Sequence, residues 1–169
     1  IVEEKVKPKR LLDKREIYRR NWWQFCEKRV ALYKKIAEYD RVLVIPRVTQ
    51  YSSFAFLPNR MIYSEQLIVL AIPTHGSLAV VQSHIHEIWA RFFSSSLGDG
   101  LRYTPSDCFE TFPFPENWET NANLEAIGKR YYEFRAELMV RNNEGLTQTY
   151  NRFHDPNEFD PYILQLRQL

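Results

Sequence analysis

Arg47-Val48-Thr49-Gln50-Tyr51-Ser52-Ser53 gathers a guanidinium, an amide, three aliphatic hydroxyls and an aromatic ring into one short segment. Groups of these types can hydrogen-bond base edges in the major groove of a duplex, and they equally make up ordinary turns. Arginine pairs with guanine through two hydrogen bonds, and glutamine pairs with adenine in the same way. Arg47, Gln50, Tyr51 and Ser52 are therefore candidate base contacts. Asn59-Arg60 repeats the amide and the guanidinium in a second tight loop. Thr74-His75-Gly76 stands just ahead of an apolar helical stretch, where backbone N–H groups can face a phosphate, so Thr74 and His75 join the candidates. A second kind of contact goes to phosphate oxygens and fixes position rather than sequence. Lys28, Arg29, Lys34, Lys35 and Arg102 are the candidates for it.

Groups that make or break bonds are harder to find. A methyltransferase needs a glycine-rich cofactor turn and an Asn- or Asp-Pro-Pro-aromatic tetrapeptide, and neither occurs. The phosphate-binding G-x-x-x-x-G-K-[ST] loop, the Gly-x-Ser-x-Gly elbow and His-Glu-x-x-His are absent as well. His84-x-His86 resembles a metal pair, but two residues apart on a helix they project about 200° from each other, so both read as helix-surface residues. Cys108, beside Asp107 and Glu110, reads as structural, and Cys26 as a second reduced thiol. No catalytic residue and no metal ligand is assigned.

These side chains need elements to hold them. Hydrophobic residues make up 44% and aromatics 15% of 169 residues, enough for a packed core. No stretch approaches the roughly 18 apolar residues of a membrane span. Tyr18, Trp22, Phe25, Leu32 and Ile36 predict one basic helix from Lys14 to Glu38, with Asp13 as its N-cap. Val42–Ile45 and Ser53–Leu57 read as strands, and Met61–Tyr63 as a further short one. Leu67–Ile72 reads as a strand buried on both faces. Leu78, Val81, Ile85, Ile88, Trp89 and Phe92 predict a single amphipathic helix with Trp89 in the core, ended by Ser94–Ser96 and Gly98. The prolines of 101–115 argue against a helix there. A helical tail starts near Asn121 and is interrupted at Gly145.

The sequence therefore predicts a mixed α+β fold, a small β-sheet packed with helices and followed by a helical C-terminal segment. The expected division is 1–13 as a linker or entry arm, 14–115 as the main domain and 116–169 as the helical domain. Charge is uneven along it. Residues 1–47 carry a net +7, residues 48–115 a net −2 and residues 116–169 a net −3. A phosphate-rich partner would be steered to the N-terminal part. The opening Ile1-Val2-Glu3-Glu4-Lys5 has neither an initiator Met nor a secretory signal and reads as the middle of a longer chain.

Three longer words are distinctive. They are Trp22-Trp23-Gln24-Phe25 with the basic stretch and Arg41-Val42-Leu43-Val44 behind it, Val81-Gln82-Ser83-His84-Ile85-His86-Glu87-Ile88-Trp89-Ala90-Arg91-Phe92, and the run from Leu101-Arg102-Tyr103-Thr104-Pro105 to Phe114-Pro115. Together they resemble the C-terminal target-recognition region of MmeI-like, type IIG bacterial DNA methyltransferase–restriction enzymes. The resemblance covers about residues 5–169. It implies sequence-specific recognition of double-stranded DNA in the bacterial cytoplasm, with a helical C-terminal domain that stops short of the family's own end. It also implies an upstream methyltransferase domain in the same polypeptide. That missing catalytic domain would hold S-adenosylmethionine, so no cofactor is expected here. Two rival readings stay open: a helical protein–protein docking module with no DNA contact, and an enzyme built around Cys108 and His86.

Overall fold

The computed structural model describes the chain apart from Phe25, Cys26, Gly98 and Asp99; of Ser96 and Leu97 it describes the backbone alone. The sequence expectations for Phe25, Cys26 and Gly98 lie outside the described residues. Two compact units divide the chain, Ile1–Lys35 and Ile36–Leu169. The residues on either side of 115/116, expected as separate domains, thus share one unit.

In the first unit the single helix expected from Lys14 to Glu38 is replaced by shorter pieces. A π-helical turn, Val2–Val6, leads into α1 (Lys7–Leu11) and α2 (Glu16–Arg20), and α3 (Val30–Ile36) reaches into the second unit. Asn21 ends α2, its backbone N–H donating to the Ile17 carbonyl and its own carbonyl accepting from the Gln24 N–H (2.9 Å). Arg29, ahead of α3, has a left-handed φ of 46°. Asp13 is not the helix cap; it stands two residues ahead of the cap position, Arg15, and its carboxylate accepts from the Arg15 N–H (2.9 Å). No described residue of 1–35 is buried. Its aromatics are covered by cations instead, Arg15 lying 3.8 Å over the Tyr18 ring and Lys7 5.0 Å over Trp22.

The second unit is built on two three-stranded antiparallel sheets rather than one. The inner sheet has the order β3 (Ala55–Pro58), β1 (Arg41–Pro46), β4 (Leu67–Leu70). Val42, Leu43, Val44 and Ile45 of central β1 are all buried, the signature of a strand covered on both faces. That role was expected of Leu67–Ile72 instead. There β4 is an edge strand whose burial alternates, with Ile68 and Leu70 turned inward. Met61–Tyr63 is not a strand. The outer sheet has the order β2 (Val48–Thr49), β6 (Gly100–Arg102), β5 (Ser95–Leu97). It was not anticipated, because strands of two and three residues show no period.

The helix expected over 78–92 is two helices. Ser83, with ψ 151°, ends α4 (His75–Gln82), and its hydroxyl accepts from the His86 N–H (3.2 Å) to start α5 (His84–Phe93). The break resets the helical phase. Leu78 and Val81 face the core as expected, but Ile85, Ile88 and Phe92 are 72%, 56% and 79% exposed. His86 and Ala90 take the inward positions. Trp89 is half-buried, packed against the core beside Phe112. Residues 105–108 form a short helix, α6, because Pro105 stands in its first turn, where a missing N–H costs nothing.

The tail is α7 (Ala122–Asn142), α8 (Leu146–His154) and α9 (Pro161–Gln168). Asn121 caps α7 and Asn143 ends it in the left-handed conformation. α7 lies against α4 at Gly128, where an added Cβ would stand 1.9 Å from the His75 carbonyl oxygen. Only glycine lets two backbones approach so closely. Arg152 joins the tail's own parts, bonding Glu144 (3.0 Å), Glu158 (2.6 Å) and Asp160 (3.1 Å).

Candidate nucleic-acid interface

Arg47 is the seam between the two sheets. Its N–H donates to the Gln66 carbonyl (2.7 Å) beside the inner sheet. Its carbonyl accepts from the Tyr103 N–H (2.9 Å) just past β6, and its Nε donates to the Glu65 carbonyl (2.8 Å). The chain then enters β2, where Val48 pairs with Arg102 and Thr49 with Leu101. Paired residues share a face. Val48, Arg102 and, across β6, Ser95 lie on the exposed side, while Leu101 is buried on the other. Gln50 follows β2 and is exposed, as the alternation requires. The outer sheet therefore offers solvent the Arg102 guanidinium on β6, and just past the end of β2 the exposed Gln50 amide donates to the Tyr51 hydroxyl (3.3 Å).

The residues after Gln50 are held by side chains from four helices. Arg91 Nη2 of α5, paired with Glu87, donates to the Gln50 carbonyl (2.7 Å). Gln82 of α4 donates to the Ser52 carbonyl (2.7 Å) and accepts from the Phe54 N–H (2.9 Å). Arg135 Nη2 of α7 donates to the Phe54 carbonyl (2.8 Å), and its Nη1 donates to the Tyr150 hydroxyl (2.8 Å). His154 of α8 stacks on Tyr51, ring centroids 4.0 Å apart and planes 6° from parallel. Ser52, a candidate base contact, is buried at 2% exposure. Its side chain is turned away from any groove, and its backbone carries the clamp.

The remaining candidates lie elsewhere. Asn59 and Arg60 follow β3, which pairs with the first half of β1, so they stand at the opposite end of the inner sheet from Arg47. The length of β1 sets that separation at about 17 Å. The Asn59 amide donates to the Ile36 carbonyl (3.3 Å), whereas Arg60 is exposed. Thr74 and His75 are also at that end. Thr74 caps α4, its hydroxyl accepting from the Ser77 N–H (3.1 Å). The Glu125 carboxylate of α7 occupies the helix start, accepting from the Gly76 N–H (2.7 Å) and bonding His75 Nδ1 (3.0 Å). Burial opposes that charge, but the Gly76 and His75 bonds prevail and hold the carboxyl below its usual range. The N–H positions proposed for a phosphate thus already hold an anion from the chain itself.

In the first unit, Lys28 and Arg29 precede α3, and Lys34 and Lys35 fall in its last turn; all four are exposed. Arg29 pairs with Glu27 (2.7 Å). His84 is exposed, but His86 is fully buried and not on the surface as expected. Its Nε2 bonds the Tyr103 hydroxyl (3.0 Å), and burial pushes its pKa down to about 4. The Cys108 thiol is buried, donates to the Thr104 carbonyl (3.1 Å) and is pushed up by burial. A thiol so held is a poor nucleophile.

Sequence reasoning missed Gln82, Arg91, Arg135 and His154. One signal was available. Arg135 sits at the helical spacing of Tyr131 and Leu138, a cation inside an apolar stripe.

A search of curated proteins finds no match. Among solved structures, the chain is similar to one described as the type IIL restriction–modification enzyme MmeI in complex with DNA. The TM-score is 0.66 at 19% identity, over 98% of this chain and 21% of that one. At that identity the likeness shows a shared fold, and this chain spans about a fifth of that enzyme's length. The model of the MmeI target recognition domain matches residues 4–116, about two-thirds of the chain. With its two-sheet frame and that match over most of its length, the chain belongs to the MmeI target recognition domain family.

Proposed function

We propose that the outer sheet and the segment leaving it read double-stranded DNA in the major groove, with Arg102 and Gln50 as base contacts and Arg47 at the seam. One observation carries this reading: the β2–β6 pairing presents Arg102 to solvent, and the exposed Gln50, directly after β2, is held at its carbonyl by Arg91. Their chemistry discriminates guanine and adenine. Asn59 and Arg60, at the far end of β1, would serve a second contact on the backbone. Lys28, Arg29, Lys34 and Lys35 supply charge for phosphates.

Methyl transfer from S-adenosylmethionine belongs, in this reading, to an upstream methyltransferase domain of a longer bacterial polypeptide. This chain contributes recognition and no chemistry. The exposed Ile85, Ile88 and Phe92 of α5 favour a second reading, a protein-docking face. The two separate in a titration with duplex DNA across a salt series. Recognition requires binding that weakens steeply with salt and a sequence preference in a randomised duplex pool. No binding even at low salt would leave docking as the function.

A further inference from the structure

The segment Tyr51–Phe54 is anchored in the core at its far end by the buried Phe54 ring, while Tyr51–Ser53 run between two clefts. On one side of it lies a cleft of about 340 Å³, lined by Thr49, Gln50, Tyr51 and Ser53 together with Tyr150 and Asn151 of α8. On the other lies a cleft of about 540 Å³, lined by Ser52, Gln82, Tyr150 and His154 among others. Between that anchor and β2 the backbone is pinned by side chains from the helices. Those groups are Gln82 and Arg91 within the family segment, and Arg135 and His154 beyond its end at residue 116.

The two outside groups are unlike ordinary surface contacts. Arg135 is 2% exposed, and both of its bonds, to the Phe54 carbonyl and the Tyr150 hydroxyl, are buried. Tyr150 is bonded in turn by Tyr131 (2.7 Å), which fixes its hydroxyl, and an arginine turned away from it and from Phe54 would leave its own buried guanidinium unpaired. The His154 ring lies flat on Tyr51, next to Gln50 in sequence. We propose that Arg135 and His154 are positioning residues for recognition: through Phe54 and Tyr51 they set the shape of the 51–54 segment and with it the aim of Gln50. The inference rests on the reading of Gln50 as a base contact. It places part of the specificity apparatus in the helical tail, outside the segment that defines the family.

The test uses the whole chain and two readouts, amide hydrogen exchange along 51–54 and base enrichment from a randomised duplex pool. His154→Ala should speed exchange at Tyr51–Phe54 about tenfold while the β1 amides keep their protection. It should also cut discrimination at one base position about tenfold without weakening binding to mixed-sequence DNA. His154→Phe keeps the stack and should restore both. Arg135→Met should act in the same direction; should that variant not fold, the half-buried His154 still decides. Unchanged exchange in His154→Ala would overturn the positioning. Faster exchange with every base preference intact would show that the tail holds the segment but the segment does not aim a reader, and the proposal falls. A wild-type chain with no preference at any position would instead defeat the reading beneath it, whatever the exchange data say.

Discussion

The two sheets of the second unit are made of the same number of strands and share one continuous piece of chain, yet they are opposite in character. The inner sheet puts four successive apolar residues of β1 out of solvent. The outer sheet has strands of two or three residues and exposes Val48, Arg102 and Ser95 on one face. Burial makes the first a foundation, since each buried aliphatic side chain contributes about 1.5–3 kcal/mol. The second cannot stabilise itself, and takes its shape from Arg47, Tyr103 and the clamp residues. A face that reads DNA, as proposed for the outer sheet, must keep its polar groups unburied, so its rigidity has to be supplied from behind.

That contrast breaks if the two sheets respond alike to mutation. Leu43→Ala in central β1 should cost about 2–5 kcal/mol, read as a lower denaturation midpoint, with the recognised sequence unaltered in the protein that remains folded. A shift in base preference there would join the two sheets into one functional piece. His86, buried behind Tyr103, sharpens the contrast through pH. Its folded pKa of about 4 lies below the ordinary 6.5, so between those values the unfolded chain binds the proton and the folded chain does not. Stability is therefore full above about pH 6.5 and falls by about 3 kcal/mol as pH drops towards 4. Urea midpoints measured across that range should slope, and His86→Gln, which keeps a partner for Tyr103, should flatten the slope.

Smaller effects belong to the exposed side. Arg102→Ala should change stability by no more than about 0.5 kcal/mol. It should remove about 1–3 kcal/mol of discrimination at one base pair, seen as a relaxed position in a selected pool. A loss of binding equal for all sequences would make Arg102 the phosphate contact the sequence first suggested. The smallest effect is expected of Lys34→Ala, which should leave every preference intact and lower the slope of log affinity against log salt by about one.

Where the sequence was legible, periodicity and punctuation coincided. β1 ran as an unbroken β-branched stretch ending at Pro46, and α7 was marked by Asn121 ahead and Gly145 behind. The failures share a feature: the helix breaks where the apolar pattern stays intact. Ser83 is a mild residue inside what looks like one stripe, and only its role as both a helix end and a helix start turns Ile85, Ile88 and Phe92 outward. In the basic stretch α2 ends at Asn21 and α3 begins only at Val30, although the apolar spacing runs on. Of the candidate contacts, Gln50 and Arg102 are exposed and Arg47 lies between the two sheets, as their positions in the sequence allowed. The sequence did not show that Ser52 is buried or that Glu125 occupies the turn at Gly76. Those facts depend on residues thirty to fifty positions away, which no local pattern encodes.

The lone residue between β1 and β2 has a bearing on how such a domain changes its target. Arg47 is bonded to the neighbours of both sheets, so the second strand inherits its parity from the first. One amino acid inserted between Pro46 and Val48 would invert that parity, turning Thr49 outward and Gln50 inward, because alternate residues face opposite ways. A new set of letters would meet the groove without any substitution in β2 itself. Length at this joint, as much as side-chain identity on the face, is a variable on which descent can act.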